Sequence, residues 1–245
     1  TSNRILGVLV GALVTAIIQS SSATTVMVVG FVNSGLMSLT SAVWVIMGAN
    51  IGTTITGQLI AIDITAIAPL IAFIGVAMIV FFKSKKLDAF GSVIGGLGIL
   101  FIGMETMSNA MVPLRTMPEF VGLISKFQNP FIGILVGALF TALIQSSSAS
   151  VGILQALASS IYVLFGQNIG TCITSVLASI GTSKNAKRTT IIHLTFNIIG
   201  TVIFVSISML FPFAHLVESI TPNNVAAQIA NVHTIFNVAT TLLLL

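Results

Sequence analysis

Two clusters of uncharged polar side chains interrupt long apolar runs of this chain, and both have the same sequence. Gln19 precedes Ser20–Ser22, and Gln145 precedes Ser146–Ser148. Hydroxyl groups donate hydrogen bonds to an oxyanion and accept them from its protonated form. If a helix begins after each cluster, its unpaired N–H groups and positive dipole end add to an anion site that contains no cation.

A second motif follows each cluster. It runs from Gly48 to Thr54 (GANIGTT) and returns from Gly166 to Cys172 (GQNIGTC). Amide and hydroxyl oxygens are hard, neutral ligands that suit sodium, and a bound cation would offset the charge of an anion. The candidate anion-binding residues are Gln19, Ser20, Ser21, Ser22, Asn50, Gln145, Ser146, Ser147, Ser148 and Asn168. The candidate sodium ligands are Gln19, Ser20, Asn50, Thr53, Thr54, Gln145, Ser146, Asn168 and Thr171.

Other roles for these side chains fit the pattern less well. Serines in membrane helices often only pack helices together, but three in a row behind a glutamine, twice, favour a binding site. A serine nucleophile needs a base within reach, and neither cluster adjoins a His or Asp. Three histidines and the single Cys172 give no cluster of transition-metal ligands. We therefore expect sodium as the bound metal ion, no organic cofactor and no catalytic residue.

The composition indicates a membrane protein. Hydrophobic residues make up 56% of the chain and charged residues 6%, and the mean hydropathy is +1.12. Soluble domains contain about 25% charged residues. The net charge of +4 does not indicate nucleic-acid binding, because the basic residues form short clusters between apolar runs, as topology determinants do.

The segments that flank the serine clusters are too short to span a bilayer. Ile5–Ile18 would form a helix of roughly 21 Å, against a hydrocarbon core of about 30 Å, and Ala23–Val32 follows the cluster. Two short helices joined by a polar turn predict a re-entrant hairpin, which must be surrounded by protein or a wet cavity. The second copy repeats the pattern with Phe131–Ile144 and Ala149–Ala158.

Longer apolar segments predict spanning helices. They are Ser41–Ile62, Thr65–Phe82, Ala89–Met111, Ile161–Ile180, Ile191–Phe211 and Val225–Leu245. The first and the fourth contain the second motif, whose Gly and Asn residues predict broken helices. We interpret Pro113–Asn129 as a polar connection between the copies.

Charges in equivalent loops have opposite distributions in the two copies. The loop after the first predicted broken helix carries only Asp63, and the equivalent loop of the second copy carries three basic residues. The loop one span later carries three lysines in the first copy and only Glu218 in the second. The basic residues are Lys83, Lys85 and Lys86 in the first copy and Lys184, Lys187 and Arg188 in the second. Basic loops stay cytoplasmic, so equivalent loops are expected on opposite faces. The predicted fold is an all-α membrane protein with two inverted-topology repeats, each with a re-entrant helical hairpin and a broken transmembrane helix.

The predicted repeats are residues 1–88 and residues 89–245. We expect the two repeats to form one integrated transmembrane transport domain. The first repeat lacks a counterpart of Ala89–Met111, so a helix is expected before Thr1. Gly35–Ala42 has no counterpart in the second repeat, where Ser160 runs directly into Ile161. We therefore expect additional residues between Ser160 and Ile161 in the natural protein.

Gln-Ser-Ser-Ser followed by Gly-x-Asn-Ile-Gly-Thr, twice, resembles the type II sodium-dependent phosphate cotransporters and their bacterial relatives. The resemblance covers nearly all 245 residues and includes Lys187–His193, Phe196-Asn197 and His233–Asn237. It implies secondary active uptake of inorganic phosphate driven by sodium, with the paired serine motifs forming the phosphate and sodium sites between the repeats.

The function expected is therefore sodium-coupled symport of inorganic phosphate by alternating access. The alternative is a channel or exporter for another small oxyanion, which sodium-dependent uptake would distinguish. The expected partners are inorganic phosphate, sodium and the lipid bilayer, without nucleic acid, and a homodimer remains open. The expected location is the bacterial cytoplasmic membrane, with a multi-pass topology.

Overall fold

A computed structural model describes residues 3–62, 64–82, 84–115, 117–157 and 160–245, and these residues form α-helices and short connections. The helices are α1 (Arg4–Ile18), α2 (Ser21–Asn33), α3 (Leu39–Ala61), α4 (Ala68–Phe81), α5 (Lys85–Arg115), α6 (Pro118–Lys126), α7 (Pro130–Ile144), α8 (Ser147–Leu157), α9 (Ile161–Gly170), α10 (Ile173–Ala178), α11 (Lys184–Leu210), α12 (Phe213–Ile220) and α13 (Val225–Leu244). Asp63, Lys83 and Ala158, which entered the sequence comparison of the two copies, lie outside the described residues.

Within the described part of the chain, four helical segments are long and apolar enough to cross a membrane. They are Leu39–Ala61, Lys85–Met107, Ile161–Ala178 and Lys184–Leu210. The short helices around the serine clusters also have the predicted extents: α1 and α7 each contain 15 residues and end directly before a glutamine. The all-helical membrane architecture is thus confirmed.

The first motif-bearing helix is not broken, contrary to the prediction. α3 continues without interruption through Gly48, Asn50 and Gly52. The glycines instead allow α1 to approach, because a Cβ at Gly48 would lie 1.9 Å from the backbone oxygen of Val8. Small residues let helix backbones pack closely in membrane proteins, so these glycines provide contact rather than a break.

The second motif-bearing helix is interrupted, as predicted. α9 ends at Gly170, and α10 begins at Ile173 after a turn. The glycine contacts recur in this copy: a Cβ at Gly166 would lie 2.0 Å from the backbone oxygen of Ile134 on α7. Equivalent helices of the two copies therefore pack through equivalent positions, although only one of the two helices is interrupted.

Three other segments differ from the prediction. Thr65–Phe82 contains a 3-10 turn followed by the 14-residue α4, because Pro69 starts the helix late. The connection between the copies contains the amphipathic helix α6. The described basic residues of the predicted loops lie within helices, at the starts of α5 and α11. The side chain of Ser183 caps α11.

Aromatic packing joins the helices of the second copy. Phe165 on α9, Phe204 on α11 and Phe236 on α13 lie within 5.1 to 5.9 Å of one another, measured between ring centroids. All three side chains are buried. This cluster fixes α13 beside the second motif, and α13 also packs against α3, so one helix contacts both copies.

Replacement of Gly48 by alanine is expected to destabilise the protein by at least about 1–3 kcal/mol, the usual range for overpacking. The new methyl group would meet backbone atoms of α1, which cannot rotate away. Gly30→Ala is the matched control, because nothing lies within 4 Å of the position that its Cβ would occupy on α2; helix propensity favours that change by up to about 1 kcal/mol. Thermal unfolding in detergent measures both, and equal unfolding temperatures would contradict the close-contact role of Gly48.

Candidate functional site

Each serine cluster forms the turn of a helical hairpin, and its glutamine has an unusual backbone conformation. Gln19 has φ 58° and Gln145 has φ 57°, both in the left-handed region. Their N–H groups bond the carbonyl oxygens of Thr15 and Thr141. Non-glycine residues in this region are costly, and such strain concentrates at functional sites. We name Gln19–Ser22 the first tip and Gln145–Ser148 the second tip.

A serine begins the second helix of each hairpin. The hydroxyl oxygen of Ser20 accepts from the N–H of Ala23 at 3.1 Å, and that of Ser146 accepts from Ala149 at 3.2 Å. These caps leave the hydroxyl protons free to donate. The other N–H groups of each first turn have no partner within the helix. Both helices therefore present hydrogen-bond donors and a positive dipole end at the tips.

The two tips face each other across a cavity of about 140 Å³, which we name the tip cavity. Its lining consists of the two clusters: Gln19, Ser20, Ser21, Ser22, Gln145, Ser146, Ser147 and Ser148. None of these side chains is charged. The volume is well above the roughly 10–15 Å³ that one water molecule needs, so the cavity can hold a small polar solute.

A smaller polar cavity shares a serine pair with the tip cavity. The hydroxyl oxygens of Ser21 and Ser147 are 3.2 Å apart, and both residues line both cavities. The small cavity has a volume of about 10 Å³, enough for one water-sized particle. Its lining is Ser21, Asn50, Thr53, Ser147, Asn168, Thr171 and His233.

Polar side chains of α11 and α13 support the asparagines of the small cavity. His193 Nε2 lies 3.4 Å from Asn50 Oδ1, and its Nδ1 lies 3.2 Å from the hydroxyl of Ser175. Asn237 Nδ2 donates to Asn168 Oδ1 at 3.4 Å. Each copy's asparagine is therefore oriented by a buried residue from another helix.

Two buried nitrogens at this site have no hydrogen-bond partner among the described residues: Asn50 Nδ2 and His233 Nδ1. His233 is 1% exposed. A buried polar atom without a partner costs about 1–3 kcal/mol, so such atoms are rare. Both residues line the small cavity.

The structure brings together nearly all the residues that the sequence singled out. Thr54 is the exception: its hydroxyl donates to the Ile51 carbonyl at 2.8 Å, and it lines neither cavity. The sequence prediction did not assign His233 to the site. Its spacing of four from Asn237 indicated a shared helix face, and that face is the one that meets the second motif.

Thr56 is a second residue that the sequence prediction missed. Its hydroxyl donates to Gln19 Oε1 at 2.7 Å, and the Ser148 hydroxyl donates to it at 3.4 Å. Thr56 therefore links the first tip to the second. Its position about one helical turn after Thr53 in the repeated motif was the available signal.

The arrangement suits a small anion together with a hard cation. Donors surround the tip cavity, and oxygen atoms predominate around the small cavity, as hard cations require. Among the described residues, no group of three or more His, Cys, Asp or Glu side chains could hold a metal ion. The two cavities also lack any Lys, Arg, Asp or Glu in their linings.

Comparison with known proteins identifies relatives of this chain. The profile of the Na+/Pi-cotransporter family matches residues 1–109 and 116–221, and each stretch contains one copy of the paired motifs. The Bacillus subtilis protein described as "Uncharacterized protein YqeW" is 32% identical over 260 residues, covering 100% of this chain and 81% of that protein. That alignment is longer than the chain, so the relative contains insertions.

Two further groups of relatives carry functional names. A "Putative inorganic phosphate export protein YjbB" of Escherichia coli is 30% identical over 213 residues, which cover 83% of this chain and 38% of that protein. The "Sodium-dependent phosphate transport protein 2A" of Ovis aries is 49% identical over 61 residues, 25% of this chain and 10% of that protein. The chain thus spans less than half the length of both proteins.

No solved structure matches the chain. The family profile nevertheless covers both motif-bearing stretches, and the Bacillus subtilis relative aligns along the whole chain. Four helical segments among the residues that the structure describes are long and apolar enough to cross a membrane. The chain is therefore an integral multi-pass membrane protein that belongs to the Na+/Pi-cotransporter family.

Proposed function

We propose that this protein is a sodium-coupled symporter of inorganic phosphate that works by alternating access. The observation that supports this most strongly is the pair of adjacent cavities. The tip cavity is lined by the hydroxyl and amide residues of both tips. The small cavity is lined mainly by oxygen-bearing side chains and has room for one water-sized particle. The family membership supports phosphate and sodium as the two solutes.

Phosphate binds in the tip cavity in this proposal. The hydroxyls of Ser20–Ser22 and Ser146–Ser148 and the amides of Gln19 and Gln145 can donate to its oxygens. The N-termini of α2 and α8 add backbone donors and together about one unit of positive charge. Asn50 and Asn168 line the small cavity and not the tip cavity, so in this proposal they do not contact phosphate in the state described here.

Sodium binds in the small cavity, where Asn50, Thr53, Asn168 and Thr171 supply neutral oxygens. The Ser21–Ser147 pair would then lie between the cation and the anion, so that each favours the other. Gln19, Ser20, Gln145 and Ser146 border the tip cavity and are proposed to share a second sodium with phosphate. We do not retain Thr54 as a ligand, because it lines neither the tip cavity nor the small cavity.

The repeats are proposed to be inverted, with residues 1–88 and 89–245 related by a pseudo-twofold axis in the membrane plane. Two observations support the axis. Ser21 contacts its own counterpart Ser147, which is the self-pairing that a twofold axis produces. The mirrored loop charges favour opposite orientations in the membrane. The hairpins α1–α2 and α7–α8 would then be re-entrant from opposite faces of the bacterial cytoplasmic membrane.

Phosphate export is the second candidate function. A relative that matches 83% of this chain is named as a putative inorganic phosphate export protein. The match to a sodium-dependent transport protein covers only 25% of the chain. Both functions would use the same site. They differ in whether sodium drives phosphate transport and in the direction in which phosphate moves.

Proteoliposomes with an imposed sodium gradient distinguish the two candidates. We expect labelled phosphate to accumulate when the sodium concentration is higher outside than inside, because downhill sodium entry drives the anion. Reversal of the gradient should drive release from preloaded vesicles. Phosphate movement that is equally fast with potassium in place of sodium would reject the symporter and support a sodium-independent exporter or channel.

A further inference from the structure

The two copies contain equivalent residues around their tips, but these residues are hydrogen-bonded to one another only in the first copy. The motif alignment pairs Gln19 with Gln145 and Thr56 with Thr174. In the first copy, Thr56 donates to Gln19 Oε1 at 2.7 Å. In the second copy, Thr174 donates instead to the Thr171 carbonyl at 3.1 Å. The Gln145 side chain has no hydrogen bond among the described residues and is exposed.

The contact across the cavity is equally one-sided. Ser148 of the second tip donates to Thr56 at 3.4 Å. Its counterpart in the first tip, Ser22, forms no side-chain hydrogen bond with Thr174 in the structure. Thr56 on α3 is thus hydrogen-bonded to both tips, whereas its counterpart Thr174 on α10 is bonded to neither.

A second pair of positions shows the same asymmetry inside the hairpins. Thr15 on α1 donates to Thr24 on α2 at 3.0 Å, which ties the two helices of the first hairpin. The counterparts Thr141 and Ser150 are both fully buried, yet neither hydroxyl has a partner among the described residues. The first hairpin is therefore cross-linked by hydrogen bonds at positions where the second is not.

We infer that Thr56 and Thr174 are positioning residues that hold Gln19 and Gln145 alternately, so that the tie at one tip forms when the tie at the other breaks. The inference rests on the proposed transport cycle between two related repeats. In the state described here, Thr56 holds Gln19 and Gln145 is free. In the alternate state, Thr174 donates to Gln145 Oε1 and accepts from Ser22, and Thr56 releases Gln19.

The two states would differ in which glutamine can bind a solute. A glutamine whose oxygen accepts from threonine has one acceptor site occupied, whereas the free glutamine offers its whole amide to the tip cavity. The alternation requires the two states to be close in free energy, so that a single hydrogen bond can bias them. Loss of one such bond is expected to shift the ratio of states about fivefold.

Cross-linking between paired cysteines tests the alternation directly. The buried Cys172 is first replaced by threonine, the residue that occupies the equivalent position 54. Two double variants follow: Gln19→Cys with Thr56→Cys, and Gln145→Cys with Thr174→Cys. A short bifunctional thiol reagent is applied to purified protein in proteoliposomes. We expect both pairs to cross-link, although only Gln19 and Thr56 are hydrogen-bonded to each other in this structure.

Single substitutions at the opposite tip then test the coupling. Thr56→Val, which removes the hydroxyl but keeps the shape, should raise the cross-linking rate of the Gln145–Thr174 cysteine pair about fivefold. Thr56→Ser, which keeps the hydroxyl, should leave that rate unchanged. Thr174→Val should raise the rate of the Gln19–Thr56 cysteine pair. A merely structural threonine would not affect a cysteine pair at the other tip.

Two results would overturn the inference. One is failure of the Gln145–Thr174 cysteine pair to cross-link while the Gln19–Thr56 pair does. The other is an unchanged rate at that pair in Thr56→Val protein that elutes as a single folded species. Sodium-driven phosphate uptake by the Cys172→Thr background is measured in parallel, so a failed alternation in a transport-competent protein leaves the proposed function intact.

Discussion

Replacement of either tip glutamine by alanine is expected to reduce sodium-driven phosphate uptake by at least about tenfold, because a site built to hydrogen-bond its substrate loses this much or more when one polar partner is removed. Gln19 and Gln145 lie at equivalent positions of the tip cavity. Each amide both donates and accepts. No charged side chain in the cavity lining can replace it.

The two variants should differ in stability although both lose transport. Gln19→Ala removes the acceptor of the Thr56 bond and the donor to the Ala16 carbonyl oxygen, so it should lower the free energy of unfolding by about 1–3 kcal/mol. Gln145→Ala removes no side-chain hydrogen bond found among the described residues and should unfold at the wild-type temperature. Both keep the left-handed backbone position occupied by a residue with a Cβ.

Gln128→Ala is the matched control for these variants. Gln128 is exposed in the connection before α7 and lines neither the tip cavity nor the small cavity. Uptake of labelled phosphate into proteoliposomes, normalised to folded protein by size-exclusion chromatography, gives the comparison. Wild-type uptake by both tip variants would show that neither glutamine belongs to the binding site.

The serine clusters and the helices beside them could be predicted from the sequence because the signal is local. A run such as Gln19–Ser22 inside an apolar segment leaves few alternatives to a helix end. The adjoining segments are short, so their lengths predicted the short helices on either side of each cluster. The meeting of the two tips was also expected, because duplication of a polar cluster in a membrane protein favours a shared site.

The glycines of the second motif show where the local signal is ambiguous. A glycine can break a helix or let another backbone approach, and both roles need the missing Cβ. Gly48 and Gly166 allow close approach in both copies, whereas the interruption occurs only after Gly170. Which role applies depends on the partner helix, whose packing the motif itself does not encode.

The residues that the sequence did not assign to the site share one property. His233 and Thr56 lie on helices whose buried face is set by tertiary packing. In a membrane protein, polar residues face the bundle interior, but that rule does not say which cavity they reach. The Phe165, Phe204 and Phe236 cluster fixes the rotation of α13, and with it the direction in which His233 points.

Phosphate and sodium are expected to increase each other's affinity, which is the second large effect. The cavity linings contain no Lys or Arg side chain, and two helix dipoles supply only about one positive charge. A divalent phosphate would therefore remain partly uncompensated, and a buried charge without a partner is strongly unfavourable. Sodium in the small cavity would supply the missing charge, and Ser21 and Ser147, which line both cavities, would contact both solutes.

The strength of this coupling can be bounded. Coupling free energies between two sites are typically about 1–3 kcal/mol, which corresponds to about 5- to 150-fold in affinity. The coupling is reciprocal, so phosphate must raise sodium affinity by the same factor. Thr53→Val and Thr171→Val each remove one hydroxyl from the small cavity and should weaken the effect of sodium. Thr54→Val, on the same helix as Thr53 but outside both cavities, is the control.

Isothermal titration calorimetry of phosphate binding in sodium and in potassium at equal ionic strength tests the central claim most directly. The account predicts phosphate affinity about 5- to 150-fold higher in sodium than in potassium, with the difference reduced in Thr53→Val and Thr171→Val protein. Equal phosphate affinity in the two salts would show that the charge of the anion is balanced elsewhere, and it would contradict the sodium-coupled mechanism.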